Sequence, residues 1–499
     1  MPLNLPTENF ERSYVRNLLN DSKFEEIKTY ISSYFFRVNT IFYFWKPYED
    51  KFIQLTQDEI RKNYLVKSMK KQFYNSDGKQ FFKCSDWFFE EQDTEYCLRL
   101  NPSKPRIYEE KLTLKNGTQK IINCINLFAG FSHPIKEYKT AYSTEIKNKV
   151  DFILEHLKNV LCNKNNELFK YVLAWLSNIA IGGKNETILY FRSGQGTGKS
   201  IFTEFLGLDV FKRLVAFSNN PDIVGQSSFN GRLEGKMLLV LEEIPVVNRN
   251  MWFSLNNAMK HLITGKKIEI RNKNKKTKEM DNILSLIFTS NNNALKISAD
   301  DRRIICMSIS HSKVGDKKYF SKLNNKMRGQ NVGEAFFNYL IEFSKNNNLT
   351  EILFGDKPMT DMKRELINDN LPNVLKFVKS EYVLQNRDLI ISRKDLFEEF
   401  KMNDEFYDRS INSQYKFNQI FREANIKEKR ININKTQTVM FKYKHKDLLK
   451  IYKSKNWITN IDEFVENTDN KEPSKEALIL KLKEEIKKLK KEFREFKNA

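Results

Sequence analysis

The sequence predicts an α/β protein built around a mostly parallel sheet that carries a phosphate-binding loop. Three observations predict it. From Thr187 to about Phe354, short apolar strands alternate with helical stretches, the pattern of strands joined by crossover helices. Within that region Met237–Leu241 and Ile283–Phe288 are almost wholly apolar, as strands covered on both faces must be. Between the apolar strand Thr187–Phe191 and a helix over Ile201–Leu206 stands the glycine-rich run Ser193-Gly-Gln-Gly-Thr-Gly-Lys-Ser200. Around this core the chain divides into an N-terminal α+β accessory region (1–140), a helical segment (141–185), the core itself (186–365), a winged-helix-like domain (366–455), and a linker with a short coiled-coil tail (456–499).

Composition bounds the reading. A chain of 499 residues corresponds to about three domains, and 40% hydrophobic with 30% charged residues is the balance of an ordinary globular protein. No stretch approaches the ~18 apolar residues of a membrane span; the run around Trp175 is broken by Ser177, Asn178 and Gly182-Gly183. The N-terminus lacks the basic start and apolar block of a secretory leader, so an intracellular setting is expected, in host cytoplasm or at a viral replication site, with no membrane partner. Cys84, Cys97, Cys124, Cys162 and Cys306 are scattered, odd in number and without a CxxC, which argues against a disulfide framework or a zinc site. With 85 Lys and Arg against 63 Asp and Glu, the net charge is +22, a balance that points to a polyanion such as nucleic acid. Lys and Asn are overused throughout, as an A/T-rich genome would produce, so charge alone does not settle the partner.

Taken in order, residues 1–140 are rich in aromatics, with Phe35-Phe36, Phe42 to Trp45 and Trp87 to Phe89 as strand or core candidates. They contain no Asp-x-Asp pair of the kind a polymerase or primase uses to hold metals. Val150, Ile153, Leu154, Leu157 and Leu161 then form one helical face, and Phe169, Val172, Leu173 and Leu176 a second, separated by the polar turn Asn163–Asn166. In the glycine-rich run, Gly194, Gly196 and Gly198 fall within five positions of a chain that has only 17 glycines. Glycine permits the positive φ that turns successive N–H groups toward phosphate oxygens. Ser193, Gly194, Gln195, Gly196, Thr197, Gly198, Lys199 and Ser200 are therefore expected to bind ATP. Lys199 would reach the β/γ-phosphates and the Ser200 hydroxyl would hold Mg²⁺. Ser193 departs from the strict motif, which begins with glycine.

Ligands collect at the carboxyl ends of parallel strands. Glu242 and Glu243 end one such strand: one carboxylate suits a hydrated Mg²⁺, with Glu242 expected beside Ser200, and the other can orient or deprotonate an attacking water. Asn291 ends the next, where a neutral amide can bridge that water and the γ-phosphate. Arg302 and Arg303 precede a third strand, Ile304–Ile309, and either can act on a neighbouring subunit's nucleotide as a finger or lie in a surface salt bridge with Asp301. Between the Glu-Glu and Asn strands runs a basic hairpin with Lys266, Lys267, Lys273, Asn274, Lys275 and Lys276; Ile268 and Ile270 alternate in its first strand and Asn272–Lys278 form the tip. Glu269 is its sole acid, and ammonium groups there suit phosphate contacts that ignore base sequence.

From Leu371 to Tyr452, three helices are expected, the second capped by Ser392, then a hairpin of Ile431, Ile433, Val439, Phe441 and Tyr443. Three helices and a basic wing suggest a winged helix, which can read DNA or bind protein. After the linker, Ile479, Leu482, Ile486, Leu489, Phe493 and Phe496 step like a coiled-coil seam.

The order of these motifs resembles the superfamily 3 helicases of small and large DNA viruses and mobile elements; Leu161 to Ser200 is most similar to the helicase half of poxvirus-type and phage primase-helicases. The resemblance covers 145–310 well and the remainder loosely. It implies an AAA+ ATPase core, a homo-oligomeric ring, typically a hexamer, with nucleotide at subunit boundaries, and a collar formed by the helices at 145–181. It also implies roles for Lys199, Ser200, Glu242, Glu243 and Asn291, a finger at Arg303 rather than Arg302, and a pore hairpin gripping single-stranded or forked DNA through Lys273. Asn274 stands where that family often has histidine. The expected activity is an ATP-driven replicative DNA helicase, working beside a separate primase or polymerase. A DNA-binding initiator or assembly ATPase without unwinding is the alternative, and a packaging or signalling P-loop ATPase fits the motif order less well.

Overall fold

In the computed structural model of the chain, the described residues are 5–65, 72–74, 81–83, 88–89, 96–114, 116–225, 229–244, 249–273, 277–291, 294–295, 297, 301–433, 436–459 and 462–465. They form two compact units, the first running to Ile297 and resuming over Asp301–Lys363, the second from Arg364 onward. The coiled-coil seam expected at 479–496 lies outside the described residues.

The first unit opens with helices Arg12–Asn20 and Phe24–Tyr34, then β1 (Phe35–Val38), β2 (Ile41–Lys46) and β3 (Lys51–Leu55) in one antiparallel sheet. The aromatics singled out in the sequence supply its core: Phe35, Phe36, Phe42, Phe44, Trp45 and Phe88 are all buried together. A capping box at Thr56 and Glu59 starts helix Gln57–Asn63. The short pair β4 (Gln72–Tyr74) and β5 (Phe81–Lys83) follows. In the next sheet β6 (Tyr96–Arg99) runs parallel to β8 (Gln119–Asn126), and β7 (Ile107–Thr113) lies antiparallel on its other side.

The two helical faces come next. The Ser143 hydroxyl accepts from the Ile146 N–H to start Thr144–His156, and Asn165 accepts from Leu168 N–H at 2.9 Å to start Asn166–Ala180. Val150, Ile153, Leu154, Leu157 and Leu161 are all buried, each contributing on the order of 1.5–3 kcal/mol. Fully buried Trp175 donates its indole N–H to the Thr187 carbonyl at 3.1 Å, which fixes the helix against the strand that follows.

That strand is β9 (Ile188–Arg192), followed by β10 (Val215–Ser218), β11 (Leu238–Leu241), the hairpin β12 (Lys267–Ile270) and β13 (Lys278–Asp281), β14 (Ser285–Ser290) and β15 (Ile304–Ser308). Five of these build a parallel sheet in the order β10-β11-β14-β9-β15. Every residue of β11 and β14 is buried, which is why both read as apolar runs. From β9 the chain crosses to the far edge at β10 and works back through β11 and β14, then adds β15 on the opposite side of β9. The direction of winding therefore reverses at β9, and such a switch point opens a crevice at the carboxyl ends of the strands. Lys278 belongs to β13, opposite Ile270, so the hairpin tip is shorter than the expected Asn272–Lys278.

The second unit contains helices Asn373–Val378, Arg393–Met402, Gln414–Glu423 and His445–Ser454 with β16 (Leu389–Ser392), β17 (Lys429–Ile433) and β18 (Thr436–Tyr443) in the antiparallel order β16-β18-β17. Ser392 caps its helix by accepting from Asp395 N–H at 3.1 Å. Strand β16 and the helix His445–Ser454 go beyond the expected three helices and hairpin. Only Leu389 of the four β16 residues is buried, so that strand leaves almost no periodic signal.

Candidate functional site

At the end of β9 the chain turns through Ser193–Gly198 into helix Lys199–Phe205. The turn requires glycine twice: φ is +73° at Gly196 and +90° at Gly198. A Cβ on Gly198 would lie 2.7 Å from Phe320 Cε1 and 3.1 Å from His156 Cε1, so a side chain there has no room. Ser193, the departure from the strict motif, is buried and shares a 2.5 Å hydrogen bond with the Thr197 hydroxyl. The serine thereby ties the two ends of the loop together, which glycine could not do.

Lys199 is 7% exposed. Its ammonium donates to the Ser193 carbonyl at 3.1 Å and to Asn291 Oδ1. Both acceptors are neutral, and burial holds the amine below its ordinary value, against the opposing pull of the Glu243 charge. Asn291 follows β14 directly, and β14 is the strand next to β9, so this bond joins the ends of adjacent strands.

Glu242 and Glu243 lie just beyond β11 rather than within it. The Glu242 N–H donates to the Ser218 carbonyl at 2.8 Å, and the Glu243 N–H donates to the Thr289 hydroxyl at 3.2 Å. Glu243 takes φ +52°, a left-handed conformation that costs a non-glycine residue on the order of 1–2 kcal/mol. Its side chain is exposed and lines the cleft. The Glu242 carboxyl is pushed above its ordinary range by burial and by the charges of Glu204 and Glu243. Crowded, partly buried carboxylates of this kind are relieved by a cation.

Gln195 to Ser200, Glu243 and Asn291 thus converge on one cleft of about 400 Å³, within the range of small-ligand sites. Ile201 and Phe320 complete its lining. Arg302 and Arg303 are not brought there. They precede β15, whose Ile304 pairs with Ile188 at the amino end of β9, while the loop leaves the carboxyl end. A strand length, roughly 15 Å at ~3.3 Å per residue, separates them from the cleft of their own chain. The Asp301 carboxylate accepts from the Arg303 backbone N–H at 2.8 Å, and Arg303 Nε is buried without a hydrogen-bond partner among the described residues.

The basic hairpin stands on a buried asparagine. Asn230 donates to the Glu269 carbonyl and accepts from the Arg271 N–H, both at 2.8 Å. Lys266 and Lys273 are exposed. Lys267 is paired with Asp281 at 2.7 Å, so its charge is partly neutralised, as is that of Lys278 by Glu234. Asn274, Lys275 and Lys276 lie outside the described residues.

Sequence reasoning missed His156, Glu204, Tyr319 and Phe320. His156 is fully buried beside Gly198, with Nδ1 2.9 Å from the Tyr319 hydroxyl. His156, Tyr319 and Phe320 sit on helices away from the glycine-rich run and Glu204 on the helix that follows it, and no local pattern marks them.

Comparison with known proteins bears on the fold that carries this cleft. Residues 191–303 match a family described as one of unknown function (DUF5906). The chain is 28% identical over 312 residues to the DNA primase-polymerase of Nitratiruptor phage NrS-1, an alignment that covers 59% of this chain and 37% of that protein. It therefore spans well under half the length of that relative. Two solved apo structures of the NrS-1 C-terminal region, one of them spanning residues 305–718, superpose with TM-scores of 0.50 at 16% and 15% identity. Each match covers 82% of this chain and 96% of the solved one. The mixed α/β fold with its parallel sheet is thus similar to that of the C-terminal region of a phage primase-polymerase.

Proposed function

We propose that the chain is an ATP-hydrolysing motor of superfamily 3 helicase type, with an AAA+-like core and a winged-helix-like second unit, that separates DNA strands during replication of a virus or mobile element. One observation carries the reading. Lys199 holds a buried ammonium against two neutral oxygens in a cleft shared with Glu243 and Asn291. A buried cation without an anionic contact is a place for phosphate, and the cradle of positive-φ glycines supplies backbone N–H donors around it. The phage relative and its matching fold support a setting in DNA replication.

In this reading Lys199 and the amides of Gly194–Gly198 hold the phosphates of ATP, and Glu243 orients the attacking water and takes its proton. Asn291, freed from Lys199 when phosphate arrives, bridges that water and the γ-phosphate. Mg²⁺ would be held by Ser200, which lines the cleft, and by the carboxylate of Glu242, one residue before the cleft-lining Glu243. When bound, the ion would supply positive charge against the phosphates. Arg303, or Arg302, completes the site of a neighbouring copy, since neither can reach its own. That requirement makes a homo-oligomeric ring, taken as a hexamer, part of the proposal. The hairpin, through Lys266, Lys267, Lys273 and the Asn274–Lys276 segment, grips single-stranded or forked DNA, with priming left to another activity.

The test uses the purified full chain with a forked duplex. Hydrolysis of ATP stimulated by single-stranded DNA, unwinding of the fork, and loss of both in Lys199→Ala are the expected results. Hydrolysis without unwinding on any fork transfers the chain to the assembly-ATPase class, and no hydrolysis at all removes the motor reading.

A further inference from the structure

The helix Lys317–Met327 packs one face inward and turns the other to a groove. Inward, Leu323 and Met327 are buried, the Tyr319 hydroxyl meets His156 Nδ1 at 2.9 Å, and Phe320 lines the loop cleft. On the other face Lys318, Lys322 and Lys326 repeat every four residues, the spacing of one helical stripe. Together with Lys317, and with Lys149 from helix Thr144–His156, they line a groove of about 570 Å³. Ser321 and Asn325 complete the lining, and none of the seven residues is acidic.

This arrangement works against the helix that carries it. Like charges four residues apart repel. Lys317 and Lys318 occupy the first turn, at the positive end of the helix dipole, where the one neighbouring acid is the N-cap Asp316, whose carboxylate accepts from the Tyr319 N–H at 2.9 Å. Relief within the protein is partial: Lys149 pairs with Glu145 at 2.6 Å, and the Lys322 and Lys326 ammoniums lie 5.2 and 5.1 Å from the Phe152 ring centre. An anion in the groove would meet several ammonium groups on a backbone already fixed by its inward face, so little ordering is left to oppose binding. The stripe from Lys318 to Lys326 extends about 12 Å, longer than one phosphate and suited to consecutive phosphates of a chain.

We propose that this groove is a second nucleic-acid site, tracking the phosphate backbone of single-stranded DNA without regard to base and separate from the β12–β13 hairpin. It takes its ligand from the functional reading above but does not depend on ATP hydrolysis.

The experiment titrates the full chain with labelled oligothymidine, without ATP, over a salt series. It compares wild type, the variant Lys317→Gln/Lys318→Gln/Lys322→Gln/Lys326→Gln, and Lys273→Gln. Each phosphate contact to a single strand contributes about 0.7 to the slope of log affinity against log salt, so loss of four lowers that slope by about 2 to 3. Affinity at low salt should fall at least tenfold, and Lys273→Gln should act independently. Should the fourfold variant melt early, exposed Lys318→Gln alone is expected to lower the slope by about 0.7. An unchanged slope and affinity overturns the proposal, as does a wild-type chain that binds no oligothymidine. That second outcome leaves the ATPase reading standing, whereas a chain without ATPase activity whose slope still responds to the groove variant sinks only the motor.

Discussion

Replacing Gly198 with alanine tests the loop geometry directly. The backbone there sits at φ +90°, which costs an L-residue on the order of 1–2 kcal/mol. The new methyl would also stand 2.7 Å from Phe320 Cε1 and 3.1 Å from His156 Cε1, overpacking of a kind that costs about 1–3 kcal/mol. The sum, about 2–5 kcal/mol, is a large share of the ~5–15 kcal/mol that holds a domain folded. The two contributions separate in a double-mutant cycle. Phe320→Ala removes the nearer obstruction but leaves φ unchanged, so Gly198→Ala should cost less in that background, by at most the ~1–3 kcal/mol of overpacking. Because His156 stays in place, the rescue is partial. Chemical denaturation reads the coupling as stability. Equilibrium titration with a fluorescent ATP analogue and magnesium reads it as affinity, at most about 5- to 150-fold. Strict additivity of the two substitutions in both assays would show that Phe320 does not floor the loop, and the geometry argued here would fall.

Three further outcomes follow from the same site. Glu243→Gln keeps the backbone turn but removes the base, so nucleotide affinity should hold while steady-state turnover drops by about 10²–10⁴; equal losses in both would make Glu243 a binding residue instead. His156 is buried, and burial pushes its imidazole from 6.5 down to about 4. The unfolded chain therefore takes up that proton first as pH falls. The stability contribution is complete above about pH 6.5 and is lost toward pH 4, at most about 3 kcal/mol at 1.36 kcal/mol per unit. Urea midpoints of wild type and His156→Leu should converge over that window; parallel curves would mean the imidazole protonates without cost. Finally, subunits with Arg303→Ala mixed with subunits carrying Lys199→Ala should recover part of the hydrolysis each lacks alone. Recovery absent from rings shown by mass to be mixed would argue against action across a boundary.

The parallel sheet was legible because its central strands β9, β11 and β14 are buried on both faces and must be continuously apolar, and the edge strand β15 is nearly as buried, so all four lay within a residue or two of where the apolar runs put them. The loop was legible for a different reason. Backbone wrapped around phosphate needs positive φ, and three clustered glycines in a glycine-poor chain advertise that need. The two helices before it showed through their buried stripes.

Tertiary structure alone decided what stands around the loop. Lys199 and Asn291 are 92 residues apart in the chain, and only the insertion of β14 beside β9 lets their side chains bond. His156 and Phe320 close on Gly198 from helices on either side of it in sequence, through packing that depends on shape rather than on any short pattern. Salt bridges such as Lys267–Asp281 likewise emerged only when β12 and β13 paired, because register decides which charges face one another. Periodicity and special backbone angles are written locally; neighbours across strands and helices are set by the way the chain winds, which no window of the sequence contains.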